Sequence, residues 1–290
     1  MSDYTDLSYT STDGLDLYAR DYSSAGGQAR LPVICIHGLT RNSADFEELA
    51  PWLAGRGRRV LAVDVRGRGR SARDPDPSHY TAAVYAGDIV KLARDLGIAR
   101  AVFVGTSMGG IITMRLALGH LGLIAGAVLN DVGPILSQRG LRRIASYAGN
   151  TAVLPSWEQA ADYVMNINQC AFPANDMQEW DKWAHRAFAE NEQGQLVQCY
   201  DPGIARQFTG GPVKSSSWLS RLSFLRLANF RPTLLVRGSL SDLVEAEQAS
   251  YMRRAAPAMN YVEVPGVGHA PMLTEPTARH AIARFLDQLD

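Results

Sequence analysis

Hydrophobic and polar positions follow two rhythms along this chain. Before Pro32, polar and apolar residues alternate, which is typical of two half-buried strands. Beyond it, short apolar runs indicate strands that are buried on both faces of a sheet. These runs are Pro32 to Ile36, Arg59 to Val63, Ala101 to Val104, Ile124 to Leu129, Thr233 to Val236 and Tyr261 to Val264.

Between the apolar runs, hydrophobic residues recur at helical spacing. Ser43, for example, offers an N-cap to a segment in which Phe46, Leu49 and Leu53 fall on one face. Because strands alternate with helices, we predict an α/β fold with a mostly parallel central sheet flanked by helices. The predicted helices are Ser43 to Ala54, Thr81 to Leu96, Gly109 to Leu118, Glu245 to Ala255 and Thr277 to Leu289.

The alternation of strands and helices stops between about Gly133 and Asn229. This stretch is helix-like, interrupted by prolines and rich in aromatic residues, and it shows no convincing strand. We therefore predict a core made of residues 1–132 and 230–290, with residues 133–229 inserted between them as a helical cap, or lid. The cap holds four of the five tryptophans, which are Trp157, Trp180, Trp183 and Trp218.

Composition limits the classes of function. With 29 basic and 29 acidic residues the formal charge is zero, so no general attraction for nucleic acid or an anionic membrane is expected. The three cysteines are widely spaced and do not form a disulfide pattern. We see neither a secretory signal nor an apolar stretch long enough for a membrane span, so a cytoplasmic location is expected. The pattern does not indicate an oligomeric state.

The strongest chemical signal is the pentapeptide from Gly105 to Gly109, with Ser107 at its centre. A G-x-S-x-G sequence at a strand-to-helix turn is typical of a nucleophile elbow, which exposes the serine hydroxyl. Glycines are needed there because side chains would collide with neighbouring backbone in so sharp a turn. The helix that follows directs its positive end toward the site. Ser107 is therefore the candidate nucleophile.

A serine hydroxyl is a weak nucleophile and needs a base. His269 lies between Gly268 and Ala270, just after the last predicted strand, where a loop can fold over the carboxyl edge of the sheet. We assign it as the base. Surface or structural roles are expected for the histidines that lie in helical or loop segments, which are His79, His120, His185 and His280.

A third residue, a carboxylate, should orient the imidazole and stabilise its charged form. We assign this role to Asp242, which follows the strand Thr233 to Val236. The order Ser107, Asp242, His269 is the one expected for such an elbow. Asp131, at the end of the preceding strand, is the alternative, because both carboxylates should lie on the same edge of the sheet.

Acyl transfer also needs hydrogen-bond donors for the oxyanion. We assign the amides of Met108, in the elbow, and Leu39, after the first buried strand. His37 is expected to support this loop rather than transfer a proton. Arg41, just beyond it, could bind a substrate carboxylate or simply lie on the surface.

Taken together, the motifs resemble the α/β-hydrolase superfamily, in its lid-bearing branch with a serine nucleophile. The resemblance covers nearly the whole chain and implies the α/β-hydrolase fold. Related epoxide hydrolases and haloalkane dehalogenases carry an aspartate nucleophile, whereas this chain has Ser107. The matching pieces are His37-Gly38, Asp64 to Ser71, Gly105 to Gly109, Gly238 to Asp242 and Gly268-His269.

The motifs and the resemblance predict a serine hydrolase that cleaves a small carboxylic ester or related carbonyl compound through an acyl-enzyme. The alternatives are a C–C bond hydrolase acting on products of aromatic ring cleavage, a lactonase or perhydrolase, and a non-enzymatic ligand sensor on the same fold. No nucleotide or metal-binding motif is found, so neither cofactor nor metal is expected.

Two clusters of side chains have competing interpretations. Arginines in the Asp64 to Ser71 piece and just beyond it could form a nucleic-acid patch, but neighbouring aspartates favour a solvated loop. These arginines are Arg66, Arg68, Arg70 and Arg73. Aromatic residues of the cap could line an apolar substrate pocket, or they could pack into the cap's own core. These are Tyr147, Phe172, Trp180 and Trp183.

Overall fold

A single large sheet organises the molecule. The computed structural model describes residues 4–26, 30–206 and 215–289. In that part of the chain the sheet contains the strands β1 (Thr5–Thr10), β2 (Asp16–Tyr22), β3 (Val33–Ile36), β4 (Val60–Asp64), β5 (Ala101–Thr106), β6 (Ile124–Asn130), β10 (Thr233–Gly238) and β11 (Asn260–Val264). Their spatial order is β1-β2-β4-β3-β5-β6-β10-β11. Only the pairs β1-β2 and β2-β4 are antiparallel among these described strands, so the predicted α/β-hydrolase architecture is confirmed.

Helices cover both faces of the sheet. Successive residues of a buried strand point to opposite sides, so apolar side chains on both faces must be covered. In β3, Ile34 and Ile36 join one buried cluster while Val33 and Cys35 join the other. No helix in the described segments is both long and apolar enough to cross a membrane. The helices are α1 (Leu49–Ala54), α2 (Ala82–Asp95), α3 (Met108–Gly119), α4 (Gln138–Tyr147), α5 (Trp157–Asn168), α6 (Met177–Ala187), α7 (Trp218–Phe230), α8 (Ala246–Ala255) and α9 (Pro276–Asp287).

One predicted helix is interrupted. The segment Ser43 to Ala54 forms a 3₁₀ turn at Ser43–Phe46 and then α1, rather than a continuous helix. Pro51 lies in the first turn of α1 and has no N–H group to donate to the Glu47 carbonyl, so α1 cannot extend back into the preceding turn. The turn is held instead by Asn42, whose side chain accepts from the Ala44 amide at 2.9 Å.

The inserted segment contains strands that we did not predict. β7 (Val153–Leu154), β8 (Phe188–Glu190) and β9 (Leu196–Gln198) form a small antiparallel sheet in the order β7-β9-β8. Strands of two or three residues are too short to produce a readable alternation. Residues 27–29 and 207–214, which the predicted division assigned to core and cap, lie outside the described residues.

The end of the predicted cap packs with the core. Phe224 and Leu227 of α7 are fully buried in the same cluster as Ile112 of α3. By its contacts α7 therefore belongs to the helices that cover the core sheet, although nearly all of its sequence lies within the range predicted for the cap.

The loop after β4 differs from the solvated loop that we predicted. Arg66 and Arg68 are each only 1% exposed, so that prediction is wrong for these two residues. The Arg66 guanidinium pairs with three carboxylates, which neutralise it and explain why it tolerates burial. These are Asp13, Asp74 and Asp88. Arg70 and Arg73 are exposed, as expected.

Candidate active site

Ser107 lies at a sharp turn between β5 and α3. Its backbone has φ 52° and ψ −112°, a conformation that residues other than glycine rarely adopt. A methyl group on Gly105 would lie 2.5 Å from backbone atoms of Gly109 and Gly110, and one on Gly109 would lie 2.0 Å from the Ile36 carbonyl oxygen. These close approaches explain why the turn requires glycines.

His269 makes a continuous hydrogen-bonded chain with a hydroxyl and a carboxylate. Its Nε2 lies 2.9 Å from Ser107 Oγ, and its Nδ1 lies 2.8 Å from Asp131 Oδ2. Because a carboxylate can only accept, Nδ1 carries the proton and Nε2 is left free to accept from the serine hydroxyl. His269 is 8% exposed and Asp131 is fully buried, which shields the chain from competing water.

Asp131 is held rigidly at the end of β6. Its Oδ1 accepts from the Gly238 amide at 3.0 Å, and its Oδ2 also accepts from Ser241 Oγ at 2.6 Å. Its own amide donates to Val236 O at 2.7 Å, and its φ of 54° turns the side chain toward His269. These bonds fix both oxygens, so the carboxylate has one orientation.

The prediction that Asp242 orients His269 is wrong. Its carboxylate receives two hydrogen bonds from Arg143 of α4, from Nε at 2.6 Å and from Nη2 at 2.8 Å. Burial opposes ionisation of Asp242, but the hydrogen bonds and charge of Arg143 outweigh it and lower the pKa of Asp242. The backbone at Asp242 also bonds to α4, because the Gly140 amide donates to Asp242 O at 2.9 Å. Asp242 therefore anchors the cap, and the alternative, Asp131, takes its place.

The two predicted oxyanion donors lie close to Ser107, the predicted nucleophile. Leu39 lines the cleft with Ser107, and Met108 opens α3 directly after it. In the described part of the chain, neither amide donates to a protein acceptor. Both N–H groups are thus available to a substrate oxygen, and their role stays a prediction.

The buried side chain of His37 supports the Leu39 loop. His37 Nδ1 lies 2.7 Å from Gly38 O, and its Nε2 accepts from the Val65 amide at 3.0 Å. Burial lowers the pKa of His37 to about 3, and the charges of Arg68 and Arg41 act in the same direction, so the imidazole is neutral. His37 thus supports the loop, as predicted.

A cleft opens above Ser107 and His269, between the core and the cap. It is lined on the core side by the Leu39 loop and on the cap side by Ile144 and Tyr147. A second cavity, which we call the side chamber, shares four lining residues with the cleft. These shared residues are Thr40, Arg41, Tyr147 and Asn168. The two spaces are therefore adjacent, and Arg41 lies at their junction.

The cap aromatics divide between the two predicted roles. Phe172, Trp180 and Trp183 are buried in the cap's own hydrophobic cluster, where the rings make edge-to-face contacts. Tyr147 lines both the cleft and the side chamber, and Trp183 also lines the side chamber. Three of these four rings therefore build the cap, while Tyr147 faces the cleft above Ser107 and Trp183 also borders the side chamber.

Two polar residues of the site were missed in the sequence. Asn130 is fully buried, and its Nδ2 donates to Thr106 Oγ1 at 3.0 Å and to Pro271 O at 2.7 Å. It therefore ties the elbow to the His269 loop. Ser241 is the second, through its bond to Asp131. An asparagine as the last residue of an apolar strand, immediately before an aspartate, is the signal that could have identified the first.

Comparisons with known proteins identify the same fold. A model of the α/β-hydrolase fold family matches residues 32–276. The crystal structure of an α/β hydrolase from Novosphingobium aromaticivorans superposes with a TM-score of 0.91 at 40% identity, covering 99% of each chain.

Two relatives are similar in sequence over most of the chain. A 3-hydroxybutyrate-oligomer hydrolase of Cupriavidus necator is 34% identical, over 87% of this chain and 86% of its own length. A 2-(acetamidomethylene)succinate hydrolase of Mesorhizobium japonicum is 28% identical, over 88% of this chain and 87% of its own length.

Proposed function

Since the chain belongs to the α/β-hydrolase family, we propose that it is a serine hydrolase that cleaves a small carboxylic ester through a covalent acyl-enzyme. The observation that carries the proposal is the chain of hydrogen bonds from Ser107 Oγ through His269 to Asp131. An alcohol, an imidazole and a carboxylate in this order activate the alcohol as a nucleophile.

In the first half-reaction Ser107 Oγ attacks the ester carbonyl carbon while its proton passes to His269 Nε2. The amides of Leu39 and Met108 stabilise the negative charge that develops on the carbonyl oxygen. The bond between the carbonyl carbon and the alcohol oxygen then breaks, and the alcohol leaves with the proton from His269. Asp131 stabilises the imidazolium throughout.

In the second half-reaction a water molecule attacks the acyl-enzyme. His269 takes one proton from the water, and the remaining hydroxyl forms a bond with the acyl carbon. The Ser107 ester bond breaks, and Ser107 Oγ recovers a proton from His269. The products are one carboxylic acid and one alcohol, and the enzyme returns to its starting state.

The name of the Cupriavidus necator relative indicates which esters to try first. Oligomers of 3-hydroxybutyrate are linear esters of a short hydroxy acid, and this relative is similar over most of both chains. We therefore propose short aliphatic esters, including esters of hydroxy acids, as the first substrate class.

The test combines covalent labelling with turnover. A fluorophosphonate should add once per chain, at Ser107, and p-nitrophenyl butyrate should be hydrolysed with many turnovers. Ser107→Ala should lose labelling and at least about 10³-fold in kcat. Turnover of a vinylogous diketone with negligible esterase activity would instead select a C–C bond hydrolase. A single acylation without turnover would select the ligand sensor, and an unchanged rate in Ser107→Ala would refute the proposal.

A further inference from the structure

The guanidinium of Arg41 is a positive charge near Ser107, and the proposed reaction does not use it. Among the described residues that line the cleft and the side chamber, it is the only arginine or lysine. A methyl group built on Gly38 would lie 3.6 Å from Arg41 Cγ and 3.8 Å from Ser107 Cβ. The stem of Arg41 and the nucleophile thus border the same small space. A charge in this position acts on whatever is bound at Ser107.

The guanidinium of Arg41 is oriented but only partly engaged. Its Nη1 donates to Asp45 Oδ1 at a long 3.3 Å, and its Cζ lies 4.6 Å from the centre of the Trp183 ring. Stacking on an aromatic face fixes the plane of a guanidinium and leaves its edges free. Within the described part of the chain, Nε and Nη2 have no hydrogen-bond acceptor.

These two unengaged nitrogens, Nε and Nη2, form the edge that binds a carboxylate through two parallel hydrogen bonds. Asp242 is bound by Arg143 through this same pair of nitrogens. Among the described residues no carboxylate binds the equivalent edge of Arg41, and Arg41 lines both the cleft and the side chamber. The arginine side chain is 23% exposed, so a small ligand can reach it.

The rest of the junction favours an anion that is small and polar. The residues that the two cavities share besides Arg41 are uncharged: Thr40, Tyr147 and Asn168. Among the described residues that line the two cavities, Asp45 of the cleft is the only acidic one, and it is paired with Arg41 itself. An uncharged, apolar substrate group here would cover the Nε and Nη2 edge of the guanidinium and leave these two donors without an acceptor, which is costly.

We propose that Arg41 binds a free carboxylate carried by the substrate, so that the site selects short esters with a second, anionic carboxylate group. This inference rests on the proposed ester hydrolysis at Ser107 and adds a substrate class to it. The carboxylate lies within a few carbons of the scissile ester, because the arginine stem and Ser107 flank one space. Arg41 is a specificity residue in this proposal and takes no part in proton transfer.

The test compares anionic esters with neutral twins of the same shape. 4-Acetoxybutyrate against 4-acetoxybutanamide places the charge on the alcohol side, and monoethyl glutarate against ethyl 4-carbamoylbutanoate places it on the acyl side. In at least one pair, the wild type should favour the anion in kcat/KM by about 10- to 100-fold, the effect of one charge-assisted hydrogen-bonded pair. The ratio within a pair cancels any loss that both substrates share.

Variants then assign the preference to a residue. Arg41→Met should reduce the ratio at least about tenfold, and Arg41→Lys should retain part of it, since a lysine keeps the charge but not the two-pronged geometry. Asp45→Asn should raise the ratio, because it removes the competing carboxylate. Arg94→Met is the matched control. Arg94 is exposed on α2 and lines neither cavity, so its ratio should equal that of the wild type.

The two proposals fail in different ways. Ratios near one in both wild-type pairs, or a ratio unchanged in folded Arg41→Met, would overturn the carboxylate site while leaving ester hydrolysis intact. The absence of any hydrolysis and of Ser107 labelling would overturn the proposed function. If Arg41→Met does not fold, competitive inhibition of the wild-type protein tests the carboxylate site instead. Glutarate should compete with a neutral ester at least about tenfold more strongly than glutaramide, and equal inhibition would count against Arg41.

Discussion

Arg68 donates a hydrogen bond from Nε to the carbonyl oxygen of Leu39 at 3.0 Å. Its Nη2 also lies 3.5 Å from the sulfur of Met108, so one buried cation touches both predicted oxyanion residues. Its other partners are uncharged, namely Arg66 O, the Tyr85 hydroxyl and the faces of two tyrosine rings. Among the described residues no carboxylate neutralises it. Its positive charge therefore lies next to both residues whose amides are the proposed oxyanion donors.

Arg68→Met should reduce kcat/KM for p-nitrophenyl butyrate by about 10- to 100-fold, somewhat less than the loss of an oxyanion donor itself. Methionine fills much of the same volume but removes the charge and the bond to Leu39. A trifluoromethyl ketone, which forms an oxyanion on a nucleophilic serine, should lose affinity in parallel with the rate. A role confined to folding would not produce this correlation.

The matched control for this prediction is Arg70→Met. Arg70 lies in the same loop, but its side chain is 57% exposed and pairs with Asp6 at the surface. Its replacement should leave both rate and inhibitor affinity unchanged. Wild-type values of both in a folded Arg68→Met protein would show that the cation does not act on the oxyanion.

Two isosteric variants can identify the carboxylate that acts with His269 in the proposed reaction. Asp131→Asn should lower kcat by about 10²- to 10⁴-fold, because an amide cannot hold His269 in the required tautomer or stabilise its charge. Asp242→Asn should keep kcat within about fivefold of wild type but lower the melting temperature, since it leaves the half-buried Arg143 without its partner. The reverse order of effects in kcat would return the role to Asp242.

The close approach at the elbow predicts opposite effects for two glycine-to-alanine substitutions. A methyl group on Gly105 meets backbone atoms 2.5 Å away, whereas one on Gly87 of α2 meets nothing within 4 Å. Gly105→Ala should therefore cost about 1–3 kcal/mol or more in the free energy of unfolding. Gly87→Ala should add about 0.5–1 kcal/mol, because alanine favours a helix interior. Urea unfolding of the two variants measures both. Equal stabilities would contradict the packing at the elbow.

Sequence patterns predicted much of this fold because buried strands and glycine-bounded turns leave local signals. The elbow at Ser107 and the position of His269 were predictable for that reason. The carboxylate partner of His269 was not predictable. The strands β6 and β10 are neighbours, with Asn130 opposite Val236, so Asp131 and Asp242 lie at the same edge of the sheet. What separates them is the docking of Arg143 from the cap, a contact between distant segments that local pattern cannot show.

The loop arginines were misjudged for a related reason. Charge alternation along a loop usually indicates solvent exposure. Arg66 is buried because its three aspartate partners come from separate parts of the chain. Arg68 is buried because backbone carbonyls and tyrosines surround it. In both cases the neutralising or solvating groups are assembled only by the tertiary fold.

Burial of His37 predicts a specific acid sensitivity of folding. The folded protein holds this imidazole neutral, with a pKa of about 3, while an unfolded chain would protonate it near its ordinary value of 6.5. Between these pH values the unfolded state binds the extra proton. The stability that depends on a neutral His37 is therefore fully present above about pH 6.5. As the pH falls toward 3, the free energy of unfolding decreases by about 1.4 kcal/mol per pH unit.

His37→Asn removes this proton linkage while keeping a polar group near Gly38 and Val65. At pH 7 the variant should be less stable than wild type, because asparagine replaces the two hydrogen bonds of the imidazole imperfectly. Between pH 7 and 4.5 the wild type should lose about 2–3 kcal/mol relative to the variant in the free energy of unfolding. Urea unfolding at pH 7.0, 5.5 and 4.5 measures the difference. His280→Asn, at an exposed position of α9, is the control and should follow the wild-type curve. Parallel curves for wild type and His37→Asn would mean that His37 is not held neutral by the fold.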